Sequence, residues 1–445
     1  MLNSIPKTRL ARNTAWMITG QGMRLVIQAA YFIEIARSLG VSNYGAFVGV
    51  VALVGVVYPF ASLGGGNLLV KNVARDTKLF ASYWGRALTL TACSGTILFL
   101  AVCMVSHFVL PPSIPRLLVA MVAAADIFGL SVITLSAQAF QAFERLRWTA
   151  TLNVMMSGGR LAGALILIAI QPHPSALLWS YLYFGSTAVV AVVACILVCK
   201  QLGLPKFSWP QSAAEMREGF YFSASQTSQT VYNDIDKTML ARLSTLEATG
   251  IYGAAYRIID VSFVPVSALL WASYPSFFRA GSRGISASLS YAKPLLLRAL
   301  TYAGVVCFAL LLAAGIVPRI LGPEYRSTAE ALRWLSVLPV LKAVHYFLSD
   351  TLTGAGHQGL RTSLQAGVAV FNVLLNLWII PAYSWRGAAW SSIASDGALA
   401  LSVAVAVLLL NRRSHATKIN SEPAVVGPGL SDALQLSSVI SVGEE

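Results

Sequence analysis

Charged side chains are scarce in this chain. They make up 11% of its 445 residues, where a soluble globule carries about a quarter. Hydrophobic residues make up 56%, and the mean hydropathy is +0.67. That balance excludes an ordinary water-soluble domain. No GxxxxGK[ST] phosphate loop occurs, which excludes a self-contained ATP-driven pump. The five histidines, His107, His173, His345, His357 and His415, are scattered, and none stands in an HExxH. That argues against a metal centre or a histidine general base. The five cysteines, Cys93, Cys103, Cys195, Cys199 and Cys307, all lie in or beside apolar runs. Cys195 and Cys199 can share a helix face, but two thiols make no metal site, and all five read as small apolar fillers. The alternating apolar and polar residues of a porin-type strand are also missing; residues 189–198 read VVAVVACILV without a break.

What the chain has instead is a succession of apolar runs from residue 14 to residue 411. Each is long enough to cross roughly 30 Å of hydrocarbon, which takes about 20 residues of helix. The runs fall at 14–36, 43–65, 84–108, 116–140, 149–171, 176–199, 219–240, 249–275, 292–317, 329–352, 361–380 and 387–411. The sequence therefore predicts an all-α polytopic membrane protein of about twelve transmembrane helices in two six-helix halves. The fourth, seventh and tenth runs are the most polar, which suits helices that touch mainly other helices. The first run exceeds a signal peptide in length and lacks a processing site, so it is expected to remain as a helix.

Lysine and arginine set the orientation. With the amino terminus in the cytoplasm, 20 of them fall on the cytoplasmic side and 6 on the far side, as the positive-inside rule requires. Both termini are then cytoplasmic. The net charge of +14 follows from this topology and from attraction to anionic membrane lipids, with no nucleic-acid partner implied. The expected division is an amino-terminal half over 1–200, a cytoplasmic connector over 201–218, a carboxyl-terminal half over 219–411 and a disordered cytoplasmic tail over 412–445. A weak echo relates the halves: proline closes the second span of each, in VYPFASLGGG (57–66) and VPVSALLWASYPSFF (264–278). The string LGGGN at 63–67 reads as a tight loop or a close approach of backbones.

Charges at bilayer depth face a bundle interior or a wet cavity. The basic ones are Arg24, Arg160, Lys237, Arg257, Arg333 and Lys342; the acidic ones are Glu34, Asp126, Asp234, Asp236, Asp260, Asp350 and Asp396. Asp234 and Asp236 adjoin Lys237, and Arg257 lies three residues before Asp260, so both groups can pair along one helix. Arg24 and Arg160 have no acidic residue three or four positions away. They are the strongest candidates for an anionic ligand, because a guanidinium fork matches phosphate oxygens. The seventh span, YFSASQTSQTVYND, offers Ser223, Gln226 or Thr227, and Thr230 on one face for sugar hydroxyls or for helix-to-helix glue.

Four segments carry a family resemblance: RSLGVSNYGA (37–46), the aspartate-rich stretch 234–257, the loop 316–335, and 353–396 with its glycine-rich loop and asparagine-bearing span. They resemble the polysaccharide biosynthesis or oligosaccharide flippase family, within the multidrug, oligosaccharidyl-lipid and polysaccharide exporters. The resemblance covers residues 8–411. It implies a non-enzymatic transporter with a central cavity that flips undecaprenyl-pyrophosphate-linked oligosaccharide by alternating access. The alternatives are a lipid II flippase, a drug or cation antiporter, and a membrane scaffold of a polysaccharide assembly complex. Arg24, Arg160, Arg257, Gln226, Asn372 and Asn376 are the expected cavity residues. Asp234, Asp236, Lys237 and Asp260 are the expected gating and charge network. No cofactor is expected; ion or proton coupling would fall to Asp126, Asp260, Asp350 or Asp396. Polymerase and glycosyltransferases are the expected protein partners. The chain departs from the pattern at 356–361, GHQGLR, where many relatives carry a lysine earlier in the loop.

Overall fold

The computed structural model describes residues 7–171, 173–207 and 213–421. Hydrocarbon offers no partner to an unbonded peptide group, so the chain bonds its own backbone in helices. Among the described residues there is no strand.

The first apolar runs form one helical stretch, Lys7–Val57, broken at Gly40 with φ 70° and ψ 168°. A side chain disfavours that left-handed φ, and glycine permits the turn. The stretch is thus two spans, α1 (residues 7–39) and α2 (residues 41–57). There follow α3 (Phe80–Val109), α4 (Arg116–Ala142), α5 (Leu146–Ile170), α6 (Ala176–Leu202), α7 (Ala213–Leu243), α8 (Leu246–Gly281) and α9 (Ile285–Ala313). The tenth span, α10, joins Pro323–Leu335 to Leu338–Gly354 across a 43° bend. The last helical stretch, Gln358–Ser421, breaks at Ser384, φ 55° and ψ −135°, giving α11 (residues 358–383) and α12 (residues 385–421). Ser175 and Thr245 cap α6 and α8 by accepting the amides of Leu178 and Ala248.

Among the described residues a helix stands at each of the twelve predicted spans, six in each half; α7 is long enough to cross a bilayer but more polar than the apolar helices. Three boundaries differ. Span α7 begins at Ala213, inside the expected connector, and α12 continues helically to Ser421, ten residues into the expected tail; residues 422–445 lie outside the described residues. The expected loop 316–335 is mostly helical, with Arg326–Leu335 forming the first arm of α10. The proline echo is only partial. Pro59 sits in a single 3-10 turn after α2, whereas Pro265 and Pro275 lie within the much longer α8.

At the end away from the termini the halves are sealed by glycine. A Cβ on Gly45 of α2 would stand 1.8 Å from the Leu246 carbonyl oxygen, and one on Gly250 of α8 would stand 2.0 Å from that of Val41. Small residues let the backbones touch, as membrane helix interfaces require. The Tyr325 hydroxyl donates to the Ala36 carbonyl at 2.9 Å, and the Glu324 carboxylate accepts the Val41 amide at 3.2 Å. Beside that seal the two halves enclose a cavity.

Candidate functional site

The cavity encloses about 330 Å³ between α1, α2, α5, α6, α7 and α8. Tyr31, Tyr44 and Tyr183 form much of its aromatic wall. Its charged lining is Arg160, Lys237, Arg257, Asp234 and Asp260. Asp260 is exposed although it lies well inside the 36-residue α8. A carboxylate exposed at that depth faces water rather than lipid.

Two arginines, Arg160 and Arg257, line the cavity, and Arg24 is not among its lining residues. Arg24 on α1 stands within electrostatic reach of Arg257 and Arg160. Arg160 is not the free cation that its local sequence suggested. Its guanidinium bonds Asp126 of α4 at 3.0 Å and lies 4.2 Å over the Tyr183 ring. The Tyr183 hydroxyl donates to the same Asp126 oxygen at 2.8 Å. Asp126 reaches this position from a π-helical turn, Ala125–Leu130, that widens α4; such turns recur at functional positions. Arg24 and Arg257 have no hydrogen-bond or ion-pair partner among the described residues. The expected Arg257–Asp260 pair does not form: both side chains line the cavity separately. Two half-buried guanidiniums are thus left with donors to offer.

A second charge cluster fills the carboxyl-terminal half. Lys237 bonds Asp234, as the sequence predicted, and also the Asn233 carbonyl at 3.1 Å, with its ammonium 4.0 Å over the Tyr256 ring. Asp236 turns away from that pair and is buried. It accepts the Tyr252 hydroxyl, the Ser392 hydroxyl at 3.1 Å and the Lys237 amide at 2.8 Å. Lys342 of α10 donates to the Tyr256 hydroxyl at 2.9 Å. Asp396 of α12 lies 3.1 Å from His345, and Asp350 bonds Arg361 at 3.0 Å.

The structure places three expected cavity residues elsewhere. Asn372 and Asn376 are fully buried between α11 and α12. Asn372 donates to Ser395 at 3.0 Å, Asn376 donates to the Asn372 side-chain oxygen at 3.0 Å, and Ser391 donates to Asn376. They are interhelical glue. Gln226 lines a separate, smaller pocket nearer the termini. Sequence reading missed Tyr183, Tyr256 and Ser392, because an aromatic ring or a hydroxyl in a span carries no local mark of the charge it will meet.

The amino-acid pattern over residues 10–280 matches the family model described as polysaccharide biosynthesis protein. The chain belongs to that family. Among solved structures, an inward-facing multidrug resistance MATE family transporter of the MOP superfamily is similar, with TM-score 0.72 and 16% identity over 91% of this chain and 99% of that chain. An outward-facing structure of such a transporter gives TM-score 0.64 and 15% identity over 92% and 97%. A MOP superfamily transporter from Pyrococcus furiosus, described as having a binding pocket of reverse polarity that suggests a different function, gives 0.62 and 16% over 93% and 97%. At these identities the likeness establishes the fold. A comparison with curated proteins finds no match. Family and fold together make this a multi-pass membrane protein of a transporter family.

Proposed function

We propose that the protein flips undecaprenyl-pyrophosphate-linked oligosaccharide across a bacterial cytoplasmic membrane by alternating access, with both termini in the cytoplasm. The observation that carries this reading is the Arg257 guanidinium, which lines a cavity sealed at one end beside Arg160, with Arg24 within electrostatic reach and, like Arg257, without a partner among the described residues. A pyrophosphate offers oxygens to both, and exclusion of water by a bound headgroup strengthens the attraction. The lipid tail stays in hydrocarbon, since each methylene moved into water costs about 0.8 kcal/mol. A cationic drug would meet these arginines as like charges, which disfavours the antiporter reading. The pocket of reverse polarity described for the Pyrococcus furiosus transporter is a parallel within the same fold. Coupling to an ion or proton gradient fits Asp260 best, because Asp126, Asp350 and Asp396 each face a basic partner. Polymerase and glycosyltransferases are the protein partners this role implies.

The test is purified protein in liposomes carrying a fluorescent lipid-linked oligosaccharide. Wild-type protein should move it between leaflets. Arg257→Ala should slow transfer by about tenfold or more, the equivalent of one charge-assisted contact at roughly 1.4 kcal/mol per decade. Movement that is equally fast without protein, or that is competed away by a cationic drug, would reject the reading.

A further inference from the structure

Nearer the termini than the arginine cavity, between α4, α7 and the segment 58–67 that follows α2 and enters the short helix Gly65–Val73, lies a second pocket of about 110 Å³ with no Asp, Glu, Lys or Arg in its lining. At roughly 10–15 Å³ per water it has room for on the order of eight waters, the bulk of a single sugar ring. Its wall is built of neutral hydrogen-bonding groups: Ser62, Asn67, Thr134, Gln138, Ser223 and Gln226. Tyr58 and Phe222 add aromatic surface. Amides and hydroxyls that donate and accept, together with aromatic faces against C–H groups, are the chemistry that recognises an uncharged polyol.

Three features show that the pocket is constructed. The Ser223 hydroxyl is 2% exposed, lines the pocket and has no hydrogen-bond partner among the described residues. A buried unpaired hydroxyl is unfavourable unless something binds it. The LGGGN string forms one wall. Leu63 and Gly64 take φ of 43° and 67°, and a Cβ on Gly66 would stand 1.7 Å from the Gln138 amide oxygen. Glycine there lets the Gln138 amide lie against the loop, where it donates to Asn67 at 3.4 Å. The third feature is placement. The Tyr58 hydroxyl bonds Thr134 at 3.0 Å and stands within the field of Asp126 and Arg160. Along α7, Gln226 is eight residues from Asp234 of the arginine cavity, roughly 12 Å at 1.5 Å per residue. A pyrophosphate held by the arginines would project its attached glycan to this depth.

We propose that this neutral pocket is the subsite for a sugar residue of the lipid-linked glycan, separate from the pyrophosphate site. It rests on the flippase reading and adds to it a division of labour: arginines take the phosphates, and the neutral pocket between residues 58–67, α4 and α7 takes the sugar. Since the pocket lies between the two halves, its walls part or close as they rock.

The test compares two ligands in detergent-solubilised full-length protein: undecaprenyl pyrophosphate bearing no sugar, and the lipid-linked glycan extracted from the native host. Wild-type protein should bind the glycosylated lipid about tenfold more tightly. Ser223→Ala, Gln138→Ala and the exposed Gln226→Ala should each reduce that ratio to about threefold or less while leaving affinity for the bare lipid unchanged. Arg257→Ala should weaken both ligands together. Equal binding of the two lipids by wild type, or a ratio unmoved in all three variants, overturns the sugar subsite alone. Binding of neither lipid overturns the flippase reading and the subsite with it. Gln226→Ala keeps the test sound if a buried variant fails to fold, since its side chain is exposed.

Discussion

At the residue scale the three arginines differ in what surrounds them, and so in what their loss should do. Arg160 completes a cross-helix unit with Asp126 and Tyr183. Removing one partner of a buried pair leaves the other charge stranded, at about 3–5 kcal/mol. Arg160→Ala should therefore lower the melting temperature in detergent, and adding Asp126→Asn should recover most of the loss. Equal melting temperatures for Arg160→Ala and wild type would show that the pair is not structural. Arg24 and Arg257 hold no such partner, so their alanine variants should melt near wild type and lose affinity for pyrophosphate lipid. Asn376→Ala should behave oppositely. It removes glue between α11 and α12, worth about 1 kcal/mol in a membrane, and leaves ligand affinity intact. A fall in affinity without a fall in melting temperature would return Asn376 to the cavity.

At the element scale the seal between α2 and α8 depends on two glycines whose neighbours leave no room for a side chain. Gly250→Leu should wedge the halves apart at the end away from the termini. In a cysteine-free background, a cysteine replacing Val48, which lines the cavity, should then react with a membrane-impermeant thiol reagent added from that side. Without the leucine it should stay protected. Unchanged protection in the leucine variant would show that closure does not depend on this contact. The bend in α10 and the π-helical turn in α4 are two further departures from regular helix. The π-helical turn delivers Asp126 to Arg160 and Tyr183; the second arm of the bent α10 delivers Lys342 to Tyr256.

At the scale of the whole molecule, twelve helices put the turns alternately at opposite ends. Ser175 lies just before α6, at the end away from the termini, and Ser282 lies in the turn after α8, at the end bearing them. Ser208, in the connector on that same side, lies outside the described residues. In intact cells a cysteine at 175 should be labelled by an impermeant reagent, and one at 282 only after permeabilisation. The reverse pattern would invert the proposed topology while leaving the fold untouched.

The sequence alone determined the helical class and the number of spans. These follow from local properties: the length of an apolar run and the expense of a charge within it. The Asp234–Lys237 pair was legible for the same reason, since three residues along one helix are neighbours. The family resemblance brought Asn372 and Asn376 to notice, but not their burial. Pairing between helices was decided only by the tertiary structure. Arg160 meets a carboxylate 34 residues away, and Asp236 meets a hydroxyl 156 residues away. No periodicity along the chain encodes which face of one helix will meet which face of another. That is why Arg160 looked free, why Arg257 and Asp260 looked paired, and why the neutral pocket around Gln226 became visible only once residues 58–67, α4 and α7 were packed together.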